Sequence, residues 1–221
     1  EPAAVALLTR ALEFGDDWFT LRLLREMHYR TQDWASLADV LDRMATLGSG
    51  VRSARCKVEE GRIRESELKD LASAAEAYKS ALGFEAQFMD AFLALQRVSL
   101  VQKDSAALAE LYSSEAARNE GENASFWWLR AARAQSESMA SEAQESFINA
   151  MDAVDNTHVS VHREAQVWFA STGRTGPLCE ALEREAASQN GQARVATLLY
   201  LGLAGGRQPD RAESIQKTLS D

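Results

Sequence analysis

The 221-residue sequence has 46% apolar residues and a formal net charge of −9, with a pI near 5.0 and a mean hydropathy of −0.31. These values fit a soluble globular chain with a real core, and they leave no net basic field to gather nucleic-acid phosphates. No apolar run approaches the roughly eighteen residues that a membrane-spanning helix needs, so we expect no membrane insertion.

The first predicted element is a lone helix from Pro2 to Phe14. Beyond it, apolar residues recur every three or four positions, a spacing typical of amphipathic helices. Three stretches show this pattern clearly: Leu71, Ala74, Ala75, Tyr78 and Leu82; Phe88, Phe92, Leu95 and Val98; Ala143, Phe147, Met151 and Val154. Sustained apolar–polar alternation, the signal of a strand, is missing. The sequence therefore predicts an all-α fold with about thirteen short helices.

Helix boundaries are marked by breakers and capping residues. Breaking glycines stand at Gly15, Gly48, Gly50, Gly83, Gly121, Gly173, Gly176, Gly191, Gly205 and Gly206. Aspartates that offer N-cap oxygens are Asp16, Asp33, Asp70 and Asp104. Ser141 and Gln144 have the spacing of a capping box, and Pro177 and Pro209 stand where helices can begin.

The helices repeat at a fixed interval. One anchor position in the second helix of each predicted pair falls at Leu37, Ala74, Leu108, Ala143, Leu178 and Ala212, with intervals of 37, 34, 35, 35 and 34 residues. Four residues after most anchors comes a bulky apolar residue, at Leu41, Tyr78, Tyr112, Phe147 and Leu182; seven residues after come Met44, Ala81 and Ala150. Short helix pairs cannot bury their apolar faces alone, so this period predicts stacked pairs that share a core.

The stretch from Asp70 to Leu82 resembles the second half of a tetratricopeptide repeat (TPR), with Ala74, Tyr78 and Ala81 on the family's small, aromatic and small positions. The resemblance implies a right-handed α-solenoid of antiparallel helix pairs, with about six repeats in one domain over residues 1–221. The family's proline between repeats is missing, and the second repeat has added residues near Gly61. A related helical-pair solenoid is the alternative.

Catalytic and metal-binding patterns are weak. His158 and His162 are four residues apart, with Glu164 nearby, but a zinc site needs a third protein ligand and none is placed to supply it. We expect a solvated or structural histidine pair, and a half-buried contact role for His28. Gly-x-Ser-x-Gly and phosphate-binding glycine loops are absent from the sequence. The sequence predicts no enzyme activity, cofactor or metal.

Cys56 and Cys179 lie far apart, each where a helix buries a small apolar side chain, so we expect two buried thiols. The sequence opens at Glu1 without an initiator methionine, which suggests a fragment of a larger protein or a processed chain. The compartment, cytoplasmic or periplasmic, is left open.

Large aromatic residues occur side by side on predicted first helices, at Trp18 and Phe19, at Phe126 to Trp128, and at Trp168 and Phe169. Neighbouring positions on a helix point about 100° apart, so one ring can enter the core while the next faces solvent. The rings fill gaps between helix layers or mark a binding surface. Arginines follow them by about one turn, and arginine can pair with a partner's carboxylates.

In TPR-like proteins the first helices line a concave groove that holds a peptide or partner helix. The resemblance therefore implies a protein–protein interaction scaffold, with these groove candidates: Phe19, Arg22, Glu26, Asp90, Arg97, Trp128, Arg130, Arg133 and Arg163. The fourth repeat combines Trp128 with Arg130 and Arg133, which favours an acidic or aromatic-bearing peptide. The alternative is a structural spacer or self-association module, with the apolar run Leu198 to Leu201 as a packing surface and a homo-oligomer as one outcome.

Overall fold

The computed structural model describes residues 2–205, and within this range the regular structure is entirely helical. The elements are α1 (Pro2–Ala11), a 3₁₀ turn (Leu12–Phe14), α2 (Trp18–Thr31), α3 (Trp34–Leu47), α4 (Gly50–Ser66), α5 (Leu71–Phe84), α6 (Met89–Gln102), α7 (Ser105–Ala116), α8 (Gly121–Gln135), α9 (Ala140–Asp152), α10 (Val159–Ser171), α11 (Thr175–Ser188) and α12 (Gly191–Gly205). The predicted all-α fold is confirmed. No helix in the described part of the chain is both long and apolar enough to cross a membrane.

The helices form two compact units. Unit 1 covers residues 1–104 and unit 2 covers residues 105–221. In unit 1 each helix from α1 to α6 packs on the next along the chain, and α4 also contacts α6. In unit 2 the helices from α7 to α12 pack in the same sequential way. This pattern of contacts between neighbouring helices is consistent with a helical repeat.

The predicted anchors lie at one register position of the second helices, here α3, α5, α7, α9 and α11. Each of the five described anchors is the fourth residue of its helix and is buried: Leu37, Ala74, Leu108, Ala143 and Leu178. The residues four positions later are also buried, from Leu41 to Leu182. Ala212 and Pro209 lie outside the described residues. The repeat period therefore marks the buried face of the second helices.

The added residues of the second repeat lie in α4, which has 17 residues whereas α2 and α6 have 14 each. Gly61 is buried in this helix beneath Tyr78. A Cβ atom at Gly61 would lie within 2.8 Å of the Tyr78 ring, closer than van der Waals contact allows. The glycine thus lets the backbone of α4 approach the aromatic ring of α5.

Each unit has its own apolar core. In unit 1, Leu12, Leu21, Leu24 and residues of α3 form a buried cluster, against which Val5, Leu8 and Trp18 pack. In unit 2 the core is built around Phe147, Met151 and Phe169, and it includes Leu201 of α12. Cys56 and Cys179 are buried as predicted.

The helix ends confirm part of the predicted boundaries. Asp33 and Asp70 cap α3 and α5 by accepting hydrogen bonds from backbone N–H groups. The cap of α2 is Asp17 and not Asp16, whose carboxylate instead accepts hydrogen bonds from Arg43. The predicted capping box is wrong, because α9 begins at Ala140, before Ser141.

Three other boundary predictions differ in detail from the structure. Gly83 and Gly176 lie inside α5 and α11 and do not separate helices. Phe88 directly precedes α6, so the apolar pattern begins one residue before that helix. Such shifts at helix ends leave the order of the helices as the sequence predicts it.

Candidate functional site

The residues predicted to line a binding groove lie on the first helices, here α2, α4, α6, α8, α10 and α12. Seven of them are exposed, and Trp128 and Arg130 are half-buried. Phe19, Arg22 and Glu26 follow a helical stripe on α2, at spacings of three and four residues. Phe19 is 63% exposed. The stripe therefore presents an aromatic ring and two charges to solvent.

Salt bridges connect successive first helices within unit 1. Arg25 of α2 donates hydrogen bonds to Glu59 of α4, at Nη2–Oε1 2.6 Å. Arg97 of α6 binds Glu65 of α4 with both terminal nitrogens, at 2.8 Å for Nη2 to Oε2. Since α4 carries both carboxylates, it is linked to the first helix on either side.

Glu65 also connects this face to the buried aromatic position. The Tyr78 hydroxyl donates a hydrogen bond to Glu65 Oε2 at 2.9 Å. The Arg97 guanidinium, followed by the Tyr78 hydrogen bond, holds the pKa of Glu65 below its ordinary value. Arg97 is thus engaged by the protein's own carboxylate. Asp90 similarly lies 3.6 Å from Arg62 Nη2.

Unit 2 repeats the arrangement with different residues. Arg133 of α8 binds both carboxylate oxygens of Glu164 on α10, at 2.5 and 2.7 Å. Arg163 of α10 donates to Glu185 of α11 at 3.1 Å, and Glu185 is buried. The carboxylates that these arginines were expected to take from a partner are therefore supplied from within the chain.

Arg130 lies over three aromatic rings. Its guanidinium carbon is 5.2 Å from the centre of the Tyr112 ring, 5.3 Å from Phe126 and 5.7 Å from Trp127. We name these four residues the arginine–aromatic cluster. Phe126 is 52% exposed, so the cluster opens to solvent through this ring. Cation–π contacts of this kind hold the guanidinium in place.

Trp128 lies apart from the arginine–aromatic cluster. It packs against the core of unit 2 and lines a cleft with Asn119, Ala124, Asn149 and Asp152. On a helix, positions 126 and 128 point about 200° apart, so Phe126 and Trp128 face different sides of α8. Arg130 lies over Tyr112, Phe126 and Trp127, and Arg133 binds Glu164, so neither arginine is engaged by Trp128 as the sequence predicted.

The adjacent aromatic residues divide between core and surface as the helical geometry predicts. Trp18 packs against the core of unit 1, whereas the neighbouring Phe19 is exposed. Phe169 is fully buried in unit 2, and Trp168 lies half-buried beside it, 5.1 Å from Phe147 between ring centres. Only Phe19 and Phe126 expose about half of their surface or more among these rings.

The two histidines of unit 2 have different surroundings. His158 directly precedes α10, and its ring nitrogens lie 2.8 Å from Glu122 Oε1 and 2.9 Å from Asp155 Oδ1. These two carboxylates raise the pKa of His158. His162 is fully buried in α10, and burial lowers its pKa. The described residues contain no group of three or more His, Cys, Asp or Glu side chains arranged to hold a metal ion.

His28 in unit 1 is buried, whereas the sequence predicted a half-buried side chain. Its Nδ1 lies 3.2 Å from Asp33 Oδ2. The ring thus contacts the carboxylate that caps the following helix.

Sequence reasoning missed several residues of the first-helix face. Arg25, Glu59, Glu65 and Glu122 form its inter-helix bridges, and Arg55 of α4 is exposed between two clefts. The spacing of 31 to 36 residues between most bridge partners, close to the repeat period, is the signal that could have found them. A pair search at the repeat interval would join these side chains across neighbouring first helices.

The features most similar to TPR proteins are the repeat period and the small and aromatic positions of α5. Ala74, Tyr78 and Ala81 are all fully buried there. The resemblance itself stays a prediction. A comparison with protein-family models gives no match for this sequence, and neither does a comparison with curated proteins.

Proposed function

We propose that this chain is a protein–protein interaction scaffold that binds a peptide or partner protein on the exposed face of its first helices. The observation that carries the proposal is an unequal distribution of exposed apolar side chains. In α6, α8 and α10 the exposed large apolar residues are Met89, Leu93, Leu100, Val101, Phe126 and Val167. Of the described second helices, α5, α7, α9 and α11 have none, and α3 has Leu47 at its last position, 44% exposed. Exposed apolar area of this kind is typical of interaction surfaces.

The chemistry beside these apolar residues also favours protein binding. Aromatic and arginine side chains are enriched where a few residues dominate binding energy, and they occur together at Phe126 and Arg130. The bridges Arg25–Glu59 and Arg133–Glu164 hold neighbouring first helices in place before a partner arrives. A preformed surface lowers the ordering cost of association.

We extend the proposal to the architecture. The second helices begin at Trp34, Leu71, Ser105, Ala140 and Thr175, at intervals close to a TPR period. This regularity supports a right-handed TPR-like solenoid of about six repeats, with the first helices on its concave side.

The test requires a partner and a map of its binding face. Partners captured by the full chain are identified by mass spectrometry, and the affinity of the most enriched one is then measured. We expect Phe126→Ser and Val167→Ser to weaken binding roughly tenfold or more. Glu145→Ser is the matched control, because Glu145 is exposed on the second helix α9. Loss of affinity through Glu145→Ser alone would place binding on the second helices and defeat the proposal.

A second candidate function, self-association, is favoured by α12. Its residues Val195, Leu199 and Leu203 are exposed by 56, 62 and 76%, while Leu201 is buried. Tyr200 is also exposed, which leaves the predicted apolar run half in the core and half on the surface. Sedimentation equilibrium distinguishes the two functions. A concentration-dependent dimer that Leu199→Glu abolishes supports self-association, whereas a monomer at all concentrations excludes it.

A further inference from the structure

Arg55 differs from Arg25, Arg62 and Arg97, the arginines of unit 1 that pair with carboxylates across neighbouring first helices. It lies exposed on α4, and among the described residues it has no carboxylate or hydrogen-bond partner. Arg25 is bound to Glu59 and Arg97 to Glu65, while Arg62 approaches Asp90. An unpaired guanidinium keeps all its donors available for planar, bidentate recognition of a carboxylate.

Two clefts meet at Arg55. The α2–α4 cleft has apolar walls from Trp18, Met44, Val51 and Cys56. The α4–α6 cleft has apolar walls from Val58, Phe88 and Met89. Their volumes are about 410 and 430 Å³, within the range of clefts that accept small ligands or a few side chains. Arg55 lines both, so a carboxylate on this residue has an apolar cleft on each side.

The charges around Arg55 favour an acidic ligand. Arg52, Arg55 and Arg62 are exposed along α4, and Arg52 lies over the Trp18 ring at 5.3 Å. The acidic residue shared by both clefts is Glu59, and its carboxylate already accepts two hydrogen bonds from Arg25. The exposed edge of α4 is therefore locally basic in a chain whose net charge is −9.

We propose that this edge of α4 binds an acidic segment of a partner protein, with a carboxylate on Arg55 and a bulky apolar side chain in an adjacent cleft. The proposal rests on the proposed function and names the partner's chemistry for it. A protein segment supplies both acidic and apolar side chains, which the two clefts require. A nucleic acid would need several phosphate contacts. The carboxylates of Glu59 and Asp90 line the α4–α6 cleft and would repel phosphates, so a nucleic acid fits this edge less well than an acidic protein segment does.

The experiment uses the full chain and a fluorescein-labelled synthetic peptide of alternating glutamate and leucine or phenylalanine. Matched peptides carry glutamine for glutamate, or serine for the apolar residues. We expect the acidic apolar peptide to bind tightest, and Arg55→Gln to weaken it roughly tenfold or more. Higher salt should weaken it too. Arg10→Gln is the control, since Arg10 is an exposed arginine of unit 1 outside both clefts.

The outcomes separate the two proposals. Equal affinity for the glutamate and glutamine peptides, or unchanged affinity of Arg55→Gln, overturns the inference about α4. Tighter binding of a single-stranded oligonucleotide at the same edge also overturns it. If Arg133→Gln weakens the acidic peptide and Arg55→Gln does not, the site lies in unit 2 and the proposed function survives. Thermal melts confirm that each variant remains folded.

Discussion

Units 1 and 2 bury the same register position of their second helices, but the groups that surround the buried side chain differ between the units. Tyr78 in unit 1 and Phe147 in unit 2 each follow a buried alanine anchor by four residues, and both rings are buried. Tyr78 packs against the backbone at Gly61 and hydrogen-bonds to Glu65 through its hydroxyl. Phe147 instead contacts Trp168 and Phe169, with ring centres 5.1 and 6.0 Å away. The repeat specifies a bulky buried side chain at this position but not what surrounds it.

The surfaces of the two units differ in a related way. In unit 2 the arginines of α8 and α10 are all engaged, Arg133 and Arg163 by carboxylates and Arg130 by aromatic rings. In unit 1 Arg55 lies without a described partner between two clefts. The difference teaches that the buried positions repeat because stacking requires them, whereas the exposed positions are free to specialise.

The largest expected effects come from truncating the two rings. We expect Tyr78→Ala and Phe147→Ala each to lower the free energy of unfolding by about 3 kcal/mol or more, because both leave a cavity in a packed core. Urea denaturation followed by circular dichroism measures the loss. A change below about 0.5 kcal/mol, typical of surface residues, would contradict the burial of that ring.

Gly61 gives the next largest effect, and it applies to unit 1 alone. Gly61→Ala places a methyl group against the Tyr78 ring, so we expect a loss of about 1 to 3 kcal/mol in stability. Gly83→Ala is the matched control. Gly83 lies in α5 with no atom within 4 Å of an added Cβ, so alanine there should stabilise by about 0.5 to 1 kcal/mol. Equal effects at both sites would mean that α4 and Tyr78 do not meet closely.

The anchors and the helix order were predictable from the sequence because both depend on local spacing. Leu37 and Ala143 are recognisable as buried positions from residues within three or four places of them. The Arg133–Glu164 bridge was not predictable in this way, since its partners are 31 residues apart and meet only when α8 and α10 are neighbours. Trp128 was placed with Arg130 from proximity in sequence, but the helix turns its side chain to another side. Local spacing does not pair side chains on separate helices; only the repeat interval carries that information in the sequence.

Tyr78 has a hydroxyl that hydrogen-bonds to Glu65, and Phe147 has no such group, so the contribution of this hydrogen bond can be tested separately from that of the ring. Burial, then the bond to Glu65, raises the pKa of this hydroxyl, so it remains a donor at all ordinary pH values. Tyr78→Phe removes the hydrogen bond but keeps the ring, and we expect a loss of about 0.5 to 1.5 kcal/mol in stability. In the Glu65→Gln background the same substitution should cost less, because the charged acceptor is gone. Equal costs in a double-mutant cycle would show that the two side chains are not coupled.

The smallest effect concerns the two histidines of unit 2, whose pKa values are shifted in opposite directions from the ordinary value. Hydrogen bonds to Glu122 and Asp155 raise the pKa of His158, so the charged ring is favoured in the folded state. Its contribution to stability is fully present below the ordinary value of 6.5 and is lost as pH rises through the raised pKa. Hydrogen bonds from Thr157, then from His158, lower the pKa of Asp155 to about 2, so this carboxylate stays charged over the whole pH range in which His158 titrates.

His162 has the opposite sign because burial disfavours its charged form and lowers its pKa. The contribution of neutral His162 to folding stability is present above pH 6.5 and is lost as the pH falls through that value towards the lowered pKa. An NMR titration of the two imidazole rings should therefore give a midpoint above 6.5 for His158 and below 6.5 for His162. Both ring nitrogens of His158 face carboxylates, and only the protonated ring can donate to both, so Glu122→Gln should move its midpoint down. An unchanged midpoint in that variant would show that α8 does not reach His158 in solution, and that Arg133–Glu164 alone joins α8 to α10 through charged side chains among the described residues.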